Sequence, residues 1–437
     1  MKAKSLFIVV ILVIALTGFA FAGGQQEAEQ GGGAEAESEA EDQQMEQEMV
    51  ELDIFQSKTV IADQFEALGE EFEEANPNVT VNVETVGGSA DWQTILKSRF
   101  TADEGPDVYN IEGPTDYDLW QENIADLSGE PFTERAVPSA IEPMTFDGKV
   151  YGAPLNFEGY GYIYNKDMFE EAGIDEAPTS FSELEDAAQA LEDAGYTAFS
   201  TGYGTWWVIG FHLLNVAFAQ QEDPYQFMED LTAGEASMAE NEIFQDLQQL
   251  VDLTVEYGED NPLATDHNQQ VQMLANEEVA MIQQGIWKEG ALMEANPDLN
   301  MGVIPVLIND EPKMDRIPVG VPWYFVVNAQ ASEAEIEAGK EFLNFMMVSD
   351  TGLRYTVEEF GHIPAYQGAS AEGLGGVGQG ILAYTDQNKT IPWVMGQWPD
   401  GFDQQDAFKN LQAYVAERQT WDETLEALDE AWRDRAE

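Results

Sequence analysis

Between Leu52 and Tyr109 the spacing of apolar side chains alternates between two repeats, and that alternation restricts the fold more than any other property of the chain. Leu52, Ile54 and Phe55 open a strand. Ile61, Phe65, Leu68 and Phe72 then recur at intervals of four, three and four, which puts them on one face of a helix. Val79, Val81 and Val83 alternate with Thr80, Asn82 and Glu84, the period of a half-buried strand; Trp92, Ile95, Leu96 and Phe100 return to helical spacing. Val108 and Tyr109 make a third strand. Parallel neighbours need crossover helices, so this order predicts an α/β fold with a mainly parallel sheet flanked by helices.

In such sheets ligands sit beyond the carboxyl ends of the strands. The loops there hold Gln56, Ser57 and Lys58 after the first strand, then Gly87, Gly88, Ser89, Asp91 and Trp92 after the second. Asn110, Glu112 and Asp116 follow the third.

A second organising segment runs from Phe146 to Leu191. Asp147-Gly148 is a tight-turn pair, and the extended stretch after it ends at Pro154. Asn156 to Gly161 crosses open ground before Tyr162-Ile163-Tyr164 resumes a strand, and Ser180 with Glu183 announces a helix by a capping box. The chain leaves one lobe here and enters another.

The pieces DGK-x-YG-x-P, YNKDMF, AGI and P-T-x-F-x-E-L in this segment resemble the extracellular solute-binding proteins of bacterial ABC importers, the sugar-binding family that includes maltose-binding protein. Phe72 to Val83, Gly105 to Val108, Asn276 to Trp287 and Ala338 to Gly352 follow the same template in order, so the resemblance extends from Leu52 to the C-terminus. It implies two lobes, each a mainly parallel sheet with helices, joined by a multi-strand hinge. The N-terminal lobe is expected over 50–155 and 308–362, and the C-terminal lobe over 156–305 and 364–437. The hinge is expected at Pro154 to Glu158, Val303 to Leu307 and His362 to Pro364. A helix from Ser332 to Val348, opened by Ser332 and Glu335, should return the chain to the first lobe.

Placed on that template, the crossing segment contributes Asn156, Glu158 and Tyr160, with Glu158 where the resemblance puts a ligand-contacting acid. Tyr203, Trp206 and Trp207 resemble the family's aromatic ligand loop; Trp287 lies in a Gly-x-Trp, Trp323 follows Gly320, and Trp393 and Trp398 resemble a last aromatic platform. With Gln56, Ser57, Asp91, Trp92, Asn110 and Glu112 they form the candidate ligand-binding set. A pyranose explains the mixture, because its C–H faces stack on Trp and Tyr while its hydroxyl rim needs polar partners. Each has a plainer role too: a Trp in a two-lobed protein often packs a lobe, and Glu158 could be a hinge cap.

Composition narrows the partners. The chain has 83 acidic against 18 basic residues, a net charge of −65, so it repels nucleic acid and anionic membranes and is expected to need salt for stability. Lys2, Lys4, the apolar run Leu6 to Leu16 and Ala20-Phe21-Ala22 predict a signal peptide over 1–22, with a membrane tether as the alternative if it stays uncleaved. Residues 23–49 are low-complexity Gly, Gln, Glu and Ala, predicted to be a disordered acidic tether. The absence of cysteine excludes disulfides and thiol chemistry.

Catalytic signatures are weak. No P-loop, nucleophile elbow or zinc motif occurs, and His212, His267 and His362 lack ligand spacing. Gly373 to Gly378 spells a dinucleotide fingerprint but follows no strand, and is expected to be a flexible loop. No catalytic residue, cofactor or metal is therefore expected. The function expected is the extracytoplasmic binding component of an ABC carbohydrate importer, probed against two alternatives. One is a secreted polysaccharide-active enzyme using Glu112 and Glu158; the other is a polyamine binder, since acids and aromatics also cage cations. The expected partners are a mono- or oligosaccharide and a permease with a separate ATPase, the protein itself being monomeric and periplasmic or extracellular.

Overall fold

The computed structural model describes residues 49–87, 91–367 and 372–436. The expected signal peptide, nearly all of the tether, and Gly88 and Ser89 lie outside the described residues.

The first sheet has the order Val79–Thr85, Val50–Gln56, Val108–Ile111, Tyr324–Val327, Ala153–Pro154. Its first three strands are parallel, in the register Val50↔Val79 and Ile54↔Val108. Helix Ala62–Ala75 buries Phe65, Leu68 and Phe72, the face predicted from their spacing. Helix Glu333–Val348 returns to this core through Phe342, Leu343 and Met346, and its Ser332–Glu335 capping box is complete. Phe65 stacks on Phe325 with centroids 5.5 Å apart, and Phe72 meets Phe342 edge-on. Burying each such ring contributes about 2 kcal/mol.

The second sheet has the order Thr390–Pro392, Ile317–Gly320, Glu158–Asn165, Val279–Gly285, Thr197–Ser200, and Met301–Ile304 also pairs with Glu158–Asn165. Helices Phe181–Ala194, Glu242–Glu256 and Trp421–Ala436 bury Leu184, Phe244 and Trp432 against this lobe's core. Ser180 caps its helix through the Glu183 amide, but the Glu183 carboxylate accepts from Thr179, one residue short of a full capping box.

The helix-flanked α/β architecture agrees with the sequence, and the strand directions refine it. Glu158–Asn165 runs antiparallel to every neighbour, and Tyr324–Val327 is antiparallel to Val108–Ile111, so both sheets are mixed. These are strands beside the lobe crossings, which enter each sheet without a crossover helix to turn them parallel.

The crossings also shift. Val303, Ile304, Val306 and Leu307 are buried in the second lobe, so Val303 to Leu307 is core rather than hinge. Ile317–Gly320, inside the range expected for the first lobe, pairs with Glu158–Asn165; the return passes between Gly320 and Tyr324. Ala365 and Tyr366 still pack in the first core, and Leu374 packs in the second. His362 to Pro364 instead lies beside the first crossing, where Phe157 donates its amide to the Ile363 carbonyl at 2.8 Å.

Two local motifs are now explained. Asp147 and Gly148 both have positive φ (52° and 77°), the geometry of a tight hairpin turn. Gly376–Asp386 is a helix, not a flexible loop, and its first amides are occupied by the protein itself: Glu289 accepts from Val377 and Gly378 at 2.7 and 3.1 Å. An internal carboxylate thus takes the place a bound phosphate would have.

Asp107 shows how burial couples the first sheet to pH. Its Oδ2 accepts the Asp53 amide at 2.9 Å, and its side chain is buried. Burial pushes its pKa up to about 6, helped by the Glu335 and Asp53 carboxylates and opposed by the Asp53 amide and Arg99. A raised acid pKa stabilises the fold below the ordinary value of 3.8, and that stability is lost as pH rises through about 6. Asp107→Asn keeps an acceptor without the charge, so it will stabilise the protein by about 2 kcal/mol at pH 8 and change little at pH 4. Urea titrations at both pH values measure this, and an equal effect at the two would refute it.

Candidate functional site

Three of the predicted first-lobe residues serve to shape one turn. Gln56 donates to Thr85 Oγ1 at 2.6 Å and accepts the Lys58 amide at 2.7 Å. Asn110 accepts the Ser57 amide at 2.7 Å and donates to Ser57 Oγ at 2.8 Å. With their polar groups so engaged, Gln56, Ser57 and Asn110 present Lys58.

The Lys58 ammonium pairs with the Glu158 carboxylate, and His362 Nε2 lies 3.8 Å from the same oxygen. All three side chains are buried, at 9 %, 4 % and 1 % exposure, so the charges interact away from bulk water. Burial lowers the Lys58 pKa while Glu158 opposes it, and burial together with Lys58 holds His362 neutral. Asn156 donates to the Phe157 carbonyl at 3.0 Å; its Oδ1 and His362 Nδ1 are buried with no partner among the described residues. Lys58 stands in the ligand-facing loop after the first strand and His362 in the third expected hinge segment, but neither is in the candidate ligand-binding set, and nothing in the sequence pairs them with Glu158.

The first lobe also contributes an acidic rim. Asp91 caps helix Trp92–Thr101 through Thr94, which lowers its pKa, and Trp92 meets Trp323 edge-on at 5.6 Å. Glu112 is exposed, and its amide donates to Asp116 at 2.8 Å. Its pKa is pushed up to about 8, first by the surrounding protein and then by Asp116, Asp403 and Asp400. Asp400 and Asp403 belong to the second lobe, so like charges face each other from both sides.

The second lobe supplies an aromatic wall. Tyr160 stacks on His212 at 4.1 Å, and its hydroxyl donates to the His212 carbonyl at 2.9 Å while accepting from Asn215 at 3.0 Å. Burial lowers the His212 pKa to about 3, opposed by Gln283, so the ring is a neutral stacking partner. Trp287 lies 6.3 Å from Tyr160, 6.1 Å from Trp207 and 6.3 Å from Trp393. All three tryptophans are half-buried, and Trp287 Nε1 donates to Gln284 at 3.1 Å. The remaining predicted aromatics lie apart from this wall: Tyr203 is buried with its hydroxyl bonded to Thr254, Trp206 meets Phe211, and Trp398 is buried among Phe211, Phe218 and Phe402. His212 was missed because its neighbours in sequence are apolar helix residues.

A recess of about 580 Å³ elsewhere in the second lobe, between Val251–Glu256 and Tyr414–Glu423, contains none of these groups. Among the described residues no cluster of acids and histidines is arranged to hold a metal, and no helix is long and apolar enough to cross a membrane.

The profile of the bacterial extracellular solute-binding proteins matches residues 58–350. An uncharacterized ABC transporter extracellular-binding protein of Pyrococcus horikoshii is 26% identical over 330 residues, covering 69% of this chain and 68% of that one. The melibiose/raffinose/stachyose-binding protein MelE of Bacillus subtilis is 22% identical over 295 residues, 65% of this chain and 66% of its own. The solved structure of the solute-binding protein RafE in complex with raffinose superposes with a TM-score of 0.76 at 20% identity, covering 89% of this chain and all of that one (100%), which establishes the shared two-lobed fold. With two thirds of its length matched by the family profile, carried on that fold, the chain belongs to the bacterial extracellular solute-binding proteins.

Proposed function

We propose that this protein captures an oligosaccharide between its lobes, closes over it by hinge bending, and delivers it to a membrane permease driven by a separate ATPase. The observation that carries this is the wall of Trp207, Trp287 and Trp393 around Tyr160, with the Lys58–Glu158 pair at the crossing that begins the same strand. Stacking faces beside charged hydrogen-bonding groups match a sugar's two kinds of surface. Relatives named for raffinose and stachyose support a ligand of a few sugar rings. Binding rather than cleavage is the activity, the protein acts as an exported monomer, and the leader is its export signal.

The acids Glu112, Asp116, Asp400 and Asp403 favour one second reading, a polyamine, because cations are drawn to a carboxylate rim. Calorimetric titration with raffinose, stachyose, maltotriose and spermidine separates the two. A sugar should bind at micromolar Kd or tighter, quench tryptophan fluorescence and remain intact after overnight incubation. Saturable binding of spermidine alone would replace the sugar reading, and released sugar products would make the protein an enzyme.

A further inference from the structure

Two glycines flank the crossing strand on opposite sides. Gly320 pairs with Glu158, and Gly285 pairs with Tyr160. Neither has a positive φ, so backbone conformation does not call for glycine at either position. Space does. A Cβ at Gly320 would lie 2.4 Å from Trp393 Cγ and 2.7 Å from Trp393 Cβ; one at Gly285 would lie 2.3 Å from Trp287 Cζ3 and 2.5 Å from the Gly159 carbonyl oxygen.

The two tryptophans are held differently. Trp287 has a hydrogen bond to Gln284, whereas Trp393 Nε1 is buried with no partner among the described residues. No polar anchor fixes the Trp393 ring, so shape does: Tyr160 at 5.8 Å and Trp287 at 6.3 Å on the ring side, and the bare backbone of Gly320 beneath. The atoms a Cβ would strike are the root of the Trp393 side chain, which cannot swing aside as a distal ring edge can. A methyl there must displace the whole ring.

We infer that Gly320 is a specificity-setting positioning residue: its missing side chain lets Trp393 lie against the strand and thereby sets the depth of the aromatic wall a sugar would meet. This rests on the oligosaccharide reading above for its consequence, but not for its geometry. The Gly285 position is less suited to a test, because its Cβ would also strike backbone.

The test compares wild type, Gly320→Ala, Trp393→Ala and the double variant by near-ultraviolet circular dichroism without ligand and by calorimetry with raffinose and stachyose. Gly320→Ala should change the near-ultraviolet spectrum and weaken binding by about tenfold, with the loss differing between the two sugars. In the Trp393→Ala background the same substitution should change neither spectrum nor affinity. A Gly320→Ala chain that fails to fold while the double variant folds supports the inference equally, since removing Trp393 removes the clash. An unchanged spectrum in Gly320→Ala, an additive loss on Trp393→Ala, or misfolding of both variants overturns it. If wild type binds no sugar, the functional reading falls, and the ligand-free spectra decide the positioning role alone.

Discussion

Lys58→Met will destabilise the protein by about 3–5 kcal/mol, the effect of stranding a buried charge. Glu158 is 4 % exposed, and among the described residues the Lys58 ammonium is its only charged partner, since His362, 3.8 Å away, is held neutral. Asn156 contributes one long contact of 3.4 Å to the same oxygen, too weak to replace an ion pair. Adding Glu158→Gln to Lys58→Met removes the stranded charge and should recover most of the loss, because a buried pair as a whole stabilises far less than its rupture destabilises. Urea denaturation of the two single variants and the double variant gives the coupling directly. Additive losses would mean that the pair does not act as a unit. Since Lys58 comes from the first lobe's turn and Glu158 begins the second lobe's central strand, the same pair also fixes how that turn faces the crossing.

How much of this was legible in the chain depended on the range of the interaction. Helix Ala62–Ala75, the Ser332 capping box and the Asp147-Gly148 turn each depend on residues within a few positions, and periodicity or turn chemistry exposes them. The Lys58–Glu158–His362 cluster joins residues 100 or more positions apart; the sequence places Lys58 in a ligand-facing loop and His362 in an expected hinge segment, but nothing local brings either to Glu158. Val303 to Leu307 was misplaced for a related reason. An apolar run with a proline looks alike in a hinge and in a core, and only its burial in the second lobe separates them. Gly373 to Gly378 had the right letters and a real helix after them, but Glu289, from a distant helix, already fills its amides. The candidate tryptophans divide in the same way: residue type marked them, while tertiary packing alone decided which formed a wall and which formed core.

That division makes Trp287 and Trp398 a decisive pair. Trp287 is half-buried and touches Tyr160, Trp207, His212 and Trp393, so truncating it removes a stacking face at the centre of the wall. Trp287→Ala should weaken oligosaccharide binding by about 2 kcal/mol, near thirtyfold, as expected for a central aromatic anchor. Its effect on stability should be smaller than that of Trp398→Ala, because part of the ring is already in water, although truncation also takes the indole donor from Oε1 of the buried Gln284. Trp398 is 6 % exposed between Phe211, Phe218 and Phe402. Trp398→Ala should therefore leave a cavity and destabilise the fold by about 3–5 kcal/mol, while the folded fraction binds sugar with nearly wild-type affinity. Calorimetry at a temperature where both variants remain folded, paired with urea denaturation, measures the two axes separately. If Trp398→Ala lost affinity and Trp287→Ala kept it, the sugar would lie against Trp398, and the wall around Tyr160 would be core.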